Sequence, residues 1–446
     1  MKSFRDTINL YQEHIDGVFE ATHTYHYPTH MVSPTVVTNR IIYIRNAVDR
    51  FDSLKSSGLI CSVQDGFDLH TVQSSDLSEE IEQYRKKVLD KDRHNFKNKF
   101  PPYLIDIIKD DNTLIYIDHG IEGWSNVRFD MLEYIFDVPK EKIRWLTSCY
   151  KFNDDTNSET HPMGDNVIFI NYFEKIMADQ CLDEKINFKQ NFEIQMQHYE
   201  NKKKRRVLCT SYMRRRRFPR TFMVLMLNHN DLLKHMYWSL GTLVDGNTDL
   251  KLVGYNIDKL EAWSDSKWNS PLGVKDFDWL RSIDKNITCD DNTLVDNLAY
   301  GNSSITWKHM WNTKFALVHE TIPNGLEPIF KDHIPFLSEK AYKPFATGQL
   351  FVIHGCVGTV RALRDQGYDV FDDIINHDYD AVEDSIERAK KICTEVERLS
   401  MIPDSEWEDI LKSLIPRFEY NFNHLKQVRH IVTRVHVEDP KDRTIQ

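Results

Sequence analysis

Short apolar runs that alternate with helical stretches constrain the fold of this chain more than any other feature. Residues 114–118 read LIYID and residues 313–321 read TKFALVHET, and polar segments flank both runs. An apolar run of about four to eight residues is typical of a strand that is buried on both faces. Because such runs recur between helical patterns, the sequence predicts parallel βαβ units and an α/β fold.

Two series of these units predict two domains. The chain has 446 residues, and a domain usually contains roughly 100–200 residues. The strand RVLCTSY at residues 206–212 follows a polar stretch and opens the second series. We therefore expect α/β domains over residues 1–200 and 201–420, followed by a C-terminal helix or tail over 421–446.

Further patterns assign elements to the first series. NRIIYIRNAVDRFDSL at residues 39–54 predicts a helix, as does RFDMLEYIFDV at residues 128–138. KIRWLTS at residues 142–148 and NVIFINYF at residues 166–173 predict strands, because both are short and rich in apolar side chains.

Composition indicates an ordinary globular protein of the cytoplasm. Hydrophobic residues make up 41% of the chain and charged residues 28%, and the net charge of −11 disfavours a general nucleic-acid coat. The seven cysteines are scattered and form no CxxC pair, which fits reduced thiols. The first residues lack the apolar core of a signal peptide, and no apolar run reaches the ~20 residues of a membrane span.

An arginine-rich loop is the first candidate site. MRRRRFPR at residues 213–220 lies between a predicted strand and a predicted helix. Ligands of open α/β sheets bind outside the carboxyl ends of the strands, and arginine binds phosphate through two parallel hydrogen bonds. The candidate phosphate ligands are Arg214, Arg215, Arg216, Arg217 and Arg220. The neighbouring KKKRR at 202–206 is more typical of a solvated face, and the run 202–220 could alternatively bind a nucleic-acid backbone.

The segment PFLSEKAYKPFATGQLFVIHG at residues 335–355 is the second candidate site. Ser338 is placed to cap a helix that starts with Glu339 and Lys340. Lysine in a first turn opposes the helix dipole unless an anion is present. Lys340 and Lys343 are three residues apart, so both amines can point one way and bind a diphosphate, while Glu339 suits a ribose diol. The alternative is a solvated helix start.

These residues resemble a known family. KFALVHET followed by FLSEKAYKPFATGQLFVIHG resembles the donor-binding segment of fucosyltransferase-like GT-B glycosyltransferases, including those of large DNA viruses and tailed phages. The helix VRALRDQGYDVF, the acidic HDYDAVED and the upstream RVLCTSYMRRRRFPRTF extend the resemblance to about residues 205–395. The chain departs from the pattern at residues 319–321, where HET replaces the usual Glu-Asn-Ser, so the donor sugar stays open.

The resemblance implies two Rossmann-like domains that face each other across a cleft, with a C-terminal helix that returns to the first domain. The donor would lie on domain 201–420 and the acceptor on domain 1–200. A nucleotide-sugar would be the co-substrate, with no cofactor and no metal, in the cytoplasm of the host if the protein is viral. The acceptor would be a glycan or a hydroxymethylated DNA base.

The resemblance also implies roles for donor-side residues. It places Glu320 and Glu339 near the sugar and the ribose of the donor. It places Lys340 and an arginine of the loop 214–220 on the diphosphate. The spacing and capping described above add Lys343 and Ser338 to the donor-binding candidates. Cations at that position would stabilise the charge that develops on the leaving nucleoside diphosphate.

Acceptor-side candidates follow the strand LIYID. A base must take the proton of the acceptor hydroxyl, and Asp118, His119 and Glu122 are the best-placed groups. Asp65 is a second acceptor-side candidate, and Trp124 could stack on a sugar or base. A carboxylate at a strand end is often only a helix cap, and a tryptophan in such a loop is as often part of the core.

Metal and nucleotide motifs add constraints. The Asp378-Tyr379-Asp380 triplet resembles a metal-binding D-x-D, but helix capping explains it more simply. No GxxxxGK[ST] and no GxGxxG occurs, which disfavours P-loop ATPases and dinucleotide dehydrogenases. The resemblance, with which these patterns agree, implies a metal-independent glycosyltransferase. The alternative is a non-catalytic nucleic-acid-binding protein that uses the run 202–220, and the oligomeric state stays open.

Overall fold

The computed structural model describes part of the chain. It describes residues 35–38, 41–45, 114–119, 129–150, 166–169, 171–183, 186–201, 206–213, 218–240, 270–283, 312–320 and 335–428, with a few isolated positions between them. Within these residues the protein has a mixed α/β architecture, which confirms the α/β part of the predicted fold.

The chain divides into two compact units. The first comprises Met1–Asn171, Thr248–Gly254 and Ile431–Gln446, and the second comprises Tyr172–Asn247 and Tyr255–His430.

The first unit contains a five-stranded sheet in the order β1-β2-β3-β4-β5. Its strands are β1 (Thr35–Thr38), β2 (Ile41–Arg45), β3 (Leu114–His119), β4 (Ile143–Thr147) and β5 (Val167–Phe169). Strand β1 pairs antiparallel with β2, and the other pairs are parallel. Helix α1 (Phe129–Phe136) connects β3 to β4 and buries Leu132, Ile135 and Phe136, which completes one predicted βαβ unit.

One prediction for this unit is wrong, and another is confirmed only in part. The segment 39–54 does not start as a helix, because Ile41–Arg45 forms β2, whose β-branched residues pair with β3. The strand predicted over 166–173 covers only Val167–Phe169, and a helix starts at Tyr172.

The second unit contains a parallel four-stranded sheet in the order β7-β6-β8-β9. Its strands are β6 (Arg206–Met213), β7 (Met236–Leu240), β8 (Thr313–His319) and β9 (Phe351–His354). Every residue of β8 and β9 is buried, as expected for parallel strands that are covered on both faces. The strand predictions at residues 206–212 and 313–321 are confirmed.

Eight α-helices of the second unit lie in the described residues. They are α2 (Tyr172–Asp183), α3 (Phe188–Asn201), α4 (Phe218–His229), α5 (Val274–Ser282), α6 (Glu339–Thr347), α7 (Thr359–Asp365), α8 (Ser385–Met401) and α9 (Asp404–Lys426). Helix α6 contacts β8, while α8 contacts β9 and α4.

Aromatic contacts fix α6 against its neighbours. The ring of Phe345 in α6 stacks on Tyr368, with 4.1 Å between the ring centroids. The hydroxyl of Tyr368 donates a hydrogen bond of 2.7 Å to Oε1 of the buried Glu174 in α2. The hydroxyl of Tyr342, also in α6, donates to Oε1 of Gln366 at 2.9 Å. These bonds place α2 in the second unit, whereas the sequence set the domain boundary at residue 200.

The C-terminal helix α9 also packs within the second unit. It contacts α2, α3 and α6, and the ring of Trp407 stacks on Phe315 of β8 at 6.1 Å. The guanidinium of Arg417 pairs with both carboxylate oxygens of Asp369, at 2.5 and 2.8 Å. Residues 421–426 of the predicted tail are therefore the last turns of α9, and residues 429–446 lie outside the described part.

Replacement of Gly348 by alanine is expected to destabilise the second unit. Gly348 ends α6 with a φ of +66°, and a Cβ there would lie 2.7 Å from Cε2 of Phe188. The strain of an alanine in the left-handed region and its clash with Phe188 should together lower the free energy of unfolding by roughly 1–3 kcal/mol. Chemical denaturation measures this loss. Gly273→Ala is the control, because a Cβ at Gly273 meets nothing within 4 Å; an equal or larger loss in that variant would contradict the explanation.

Candidate functional site

The candidate site lies at the carboxyl edge of the parallel sheet of the second unit. Strands β8 and β9 end at His319 and His354, which are partners in the strand register. Glu320 follows β8, and its backbone N–H donates to the carbonyl of His354 at 2.9 Å. Helix α6 starts at this edge, capped by Ser338. Ligands of open parallel sheets bind at this type of edge.

Glu320 caps the first turn of α6 with its carboxylate. Oε1 accepts hydrogen bonds from the backbone N–H groups of Ser338 and Ala341, both at 3.0 Å. The hydroxyl of Ser338 lies 2.9 Å from Oε1 and 2.6 Å from Oε2. Glu320 is 1% exposed, and a buried carboxylate needs such donors to stay ionised. The carboxylate predicted to lie near a sugar therefore binds the helix N-terminus.

Three charged side chains form a compact cluster on the first turns of α6. The Nζ of Lys340 donates to Oε1 of Glu339 at 2.6 Å and to Oγ of Ser338 at 3.3 Å. Glu339 and Lys343 are buried, and the side chain of Lys340 keeps 17% of its surface exposed. Lys340 thus keeps part of its side chain in contact with solvent, whereas Glu339 and Lys343 are shielded from water.

Attraction between Glu339 and the two lysines favours the charged forms of these buried side chains. Burial alone would raise the pKa of Glu339, but the charges of Lys340 and Lys343 and the hydrogen bond from Lys340 lower it below its usual value. The pKa of Lys343 is lowered to about 8, chiefly by burial; the charge of Glu339 opposes this shift and the charge of Lys340 adds to it. Because this pKa is close to neutral pH, the charges of its neighbours decide how much of Lys343 is protonated.

A buried histidine pair lies at the same edge. The rings of His319 and His354 are perpendicular, and their Nδ1 atoms are 3.2 Å apart. Burial, with the charge of Arg220 second, lowers the pKa of His319 to about 3. Burial also lowers the pKa of His354 well below its usual value. Two neutral rings can share this contact only if one Nδ1 donates to the other. Neither Nε2 has a hydrogen-bond partner in the described part of the chain.

Two buried arginines add positive charge beside the histidines. Arg220 lies in the first turn of α4 and Arg388 in the first turn of α8. The charges of both lower the pKa of His354. An Nη atom of Arg388 also donates to the carbonyl of Val382 at 2.5 Å, so this side chain holds the loop before α8. Sequence reasoning included Arg220 but missed Arg388 and the histidine pair, although both strands end in histidine.

Two other groups near this edge have structural roles. Burial raises the pKa of the Cys356 thiol to about 11, so this thiol is protonated at neutral pH. Asp380 accepts hydrogen bonds from the N–H groups of Val360 and Arg361, both at 2.9 Å, and so caps α7. The D-x-D triplet is therefore a cap, but of the preceding helix α7. Among the described residues, no group of three or more metal-ligating side chains occurs.

The remaining predicted site residues lie either in the first unit or outside the residues that the structure describes. Asp118 and His119 are the last two residues of β3 in the first unit, at the carboxyl ends of its parallel strands. Asp65, Glu122, Trp124 and the loop residues Arg214, Arg215, Arg216 and Arg217 lie outside the described residues. The structure thus brings together Glu320, Ser338, Glu339, Lys340 and Lys343.

Comparisons with known proteins give no relative. No family model, no curated protein and no solved structure matches the chain.

The described helices were also tested as membrane spans. None of them combines the length and the apolar character that crossing a membrane requires.

The histidine pair predicts acid sensitivity of the second unit. The folded pKa of His319 is about 3, below its usual 6.5. The stability that depends on the neutral rings is therefore complete above about pH 6.5 and is lost as the pH falls toward about 3. His354→Asn should flatten the decline of the melting temperature between about pH 7 and pH 4. The exposed His235→Asn is the control; equal acid sensitivity in all three proteins would contradict the assignment.

Proposed function

We propose that the protein is a metal-independent glycosyltransferase of the GT-B type, with two Rossmann-like domains, that transfers a sugar from a nucleotide-sugar to a hydroxyl group. One observation carries this proposal: Glu339, Lys340 and Lys343 form a charged cluster on the first turns of α6, at the carboxyl edge of a parallel sheet. The resemblance of residues 205–395 to glycosyltransferase donor segments supports the same conclusion.

The cluster suits a nucleoside diphosphate. Burying Lys343 next to Lys340 costs free energy that a bound dianion would return, because opposite charges attract strongly where water is excluded. The N-terminal end of α6 adds the positive end of a helix dipole. The carboxylate of Glu339 accepts hydrogen bonds from hydroxyl groups, as the ribose diol of a nucleotide requires.

The transfer would use these cations to stabilise the leaving group. The bond between the sugar C1 and the diphosphate oxygen breaks, and the nucleoside diphosphate leaves with the electron pair. Lys340 and Lys343, joined by Arg220 or an arginine of the loop 214–217, would neutralise the charge that develops there. The acceptor oxygen forms the new bond to C1 and gives its proton to a base, for which Asp118, His119 and Glu122 stay the candidates. The acceptor is a glycan or a hydroxymethylated DNA base.

Replacement of Lys340 by alanine is expected to abolish nucleotide binding. The measurement is a thermal-shift screen of UDP-, GDP-, ADP- and CMP-sugars and their free nucleotides. At least one of these ligands should raise the melting temperature of the parent protein. Lys340→Ala should lose that rise, because the cluster then lacks the less buried of its two cations.

Lys412→Ala serves as the control for this test, since Lys412 pairs with Glu408 on the surface of α9. The control should respond as the parent does. A Lys340→Ala response equal to that of the parent would contradict the donor site. No response of the parent to any nucleotide, together with salt-sensitive binding of duplex DNA, would favour the nucleic-acid-binding alternative.

The affinity for a nucleoside diphosphate should fall as the pH rises above about 8. The pKa of Lys343 is about 8 in the unoccupied protein, so its positive charge is present below that pH and lost above it. Binding an anion raises this pKa, and the affinity then declines with pH. Calorimetric titration at several pH values measures the decline. Lys343→Met should bind more weakly at neutral pH and show a flatter profile; an unchanged profile in this variant would exclude Lys343 as the titrating group.

A further inference from the structure

We infer that Glu320 is a positioning residue, which holds the Lys340 ammonium in place through Ser338, and is not a ligand of the donor sugar. This inference rests on the proposed function, because it concerns the same diphosphate site. It differs from the expectation drawn from the family resemblance, which placed Glu320 near the sugar.

A continuous chain of hydrogen bonds joins Glu320 to the amine. The hydroxyl of Ser338 lies 2.6 Å from Oε2 of Glu320, and it can donate its single proton only to that carboxylate. With its proton so committed, Oγ of Ser338 accepts from the backbone N–H of Lys340 and from its Nζ, both at 3.3 Å. The carboxylate therefore fixes the orientation of the hydroxyl, and the hydroxyl fixes one contact of the ammonium.

The acceptor positions of Glu320 are largely occupied. Oε1 alone is approached by two backbone N–H groups and one hydroxyl, at 2.9 to 3.0 Å. A carboxylate offers about four lone-pair positions in all, and the side chain is buried. These three donors fill most of those positions, so a sugar hydroxyl could reach Glu320 only at a remaining lone pair of a buried side chain, next to the cap of the helix that carries Glu339 and Lys343.

The charge of Glu320 has a second effect on the cluster. It raises the pKa of Lys343 against the larger effect of burial and the repulsion from Lys340, as the charge of Glu339 does. Glutamine at position 320 would keep the size of the side chain but would lose this charge. Its amide oxygen could still accept from the two backbone N–H groups, but its N–H₂ group would then lie beside Oγ of Ser338, and the Ser338 hydroxyl would lose the acceptor of its proton.

The first experiment compares Glu320→Gln with Asp380→Asn. Asp380 is a matched control, because it is also a buried carboxylate that accepts two N–H groups of a helix first turn, but it has no bond to Lys340. Inorganic pyrophosphate is the probe, since it carries the diphosphate without ribose or sugar. Glu320→Gln should weaken pyrophosphate binding roughly tenfold or more, and Asp380→Asn should leave it unchanged, although both should lower the melting temperature.

The pH profile separates positioning from a merely structural role. In Glu320→Gln the decline of pyrophosphate affinity should begin at a lower pH than in the parent, because Lys343 has lost a neighbouring negative charge. Loss of folded protein alone would reduce the amount of binding without moving this pH. An unchanged affinity and an unchanged profile in Glu320→Gln would overturn the inference.

A second pair of variants decides the question if Glu320→Gln does not fold. Ser338→Ala keeps both backbone bonds to Glu320 but removes the hydroxyl that joins it to Lys340, and Ser338→Thr restores a hydroxyl. Weak pyrophosphate binding in Ser338→Ala with recovery in Ser338→Thr supports the inference, and parent-like binding in Ser338→Ala overturns it. Failure of the parent itself to bind pyrophosphate or any nucleoside diphosphate would instead overturn the proposed function.

Discussion

The structure of the candidate site depends on one buried interaction, the capping of α6 by the carboxylate of Glu320. Glu320 directly follows β8, and the residues it binds begin α6, so the bond joins the sheet edge to the helix that carries the charged cluster. An ionised carboxylate is tolerated there because backbone N–H groups and the hydroxyl of Ser338 replace its water. Without this cap, the first turn of α6 would lose its hydrogen bonds to the sheet edge and would be held only by the packing of the rest of the helix.

Charge balance at this edge follows from the same arrangement. Glu339 and Lys343 are both buried, and each shifts the pKa of the other toward the charged form. The two histidines at the ends of β8 and β9 are instead kept neutral, because burial and the charges of nearby arginines lower their pKa values. The sheet edge therefore combines the paired, buried charges of Glu339 and Lys343, two neutral imidazole rings, and the partly exposed side chain of Lys340.

The sequence predicted the parts of this site whose signals are local. The apolar run of β8, the capping serine and the spacing of Lys340 and Lys343 all lie within a few residues, where strand and helix rules apply. Glu320 and Ser338 are 18 residues apart, and the two histidines are 35 residues apart. Local patterns do not encode such pairs, which depend on how the strands line up in the sheet. The same reason explains β2. Its sequence has a helical pattern, but Ile41–Arg45 forms a strand because it pairs with β3.

The most direct test of the account is the structure of the protein with a nucleoside diphosphate bound. The account predicts phosphate oxygens within hydrogen-bonding distance of the Lys340 Nζ, with Glu320 still bound to the first turn of α6. A nucleotide bound elsewhere, with the contacts of Lys340 to Glu339 and Ser338 unchanged and no phosphate beside them, would contradict it.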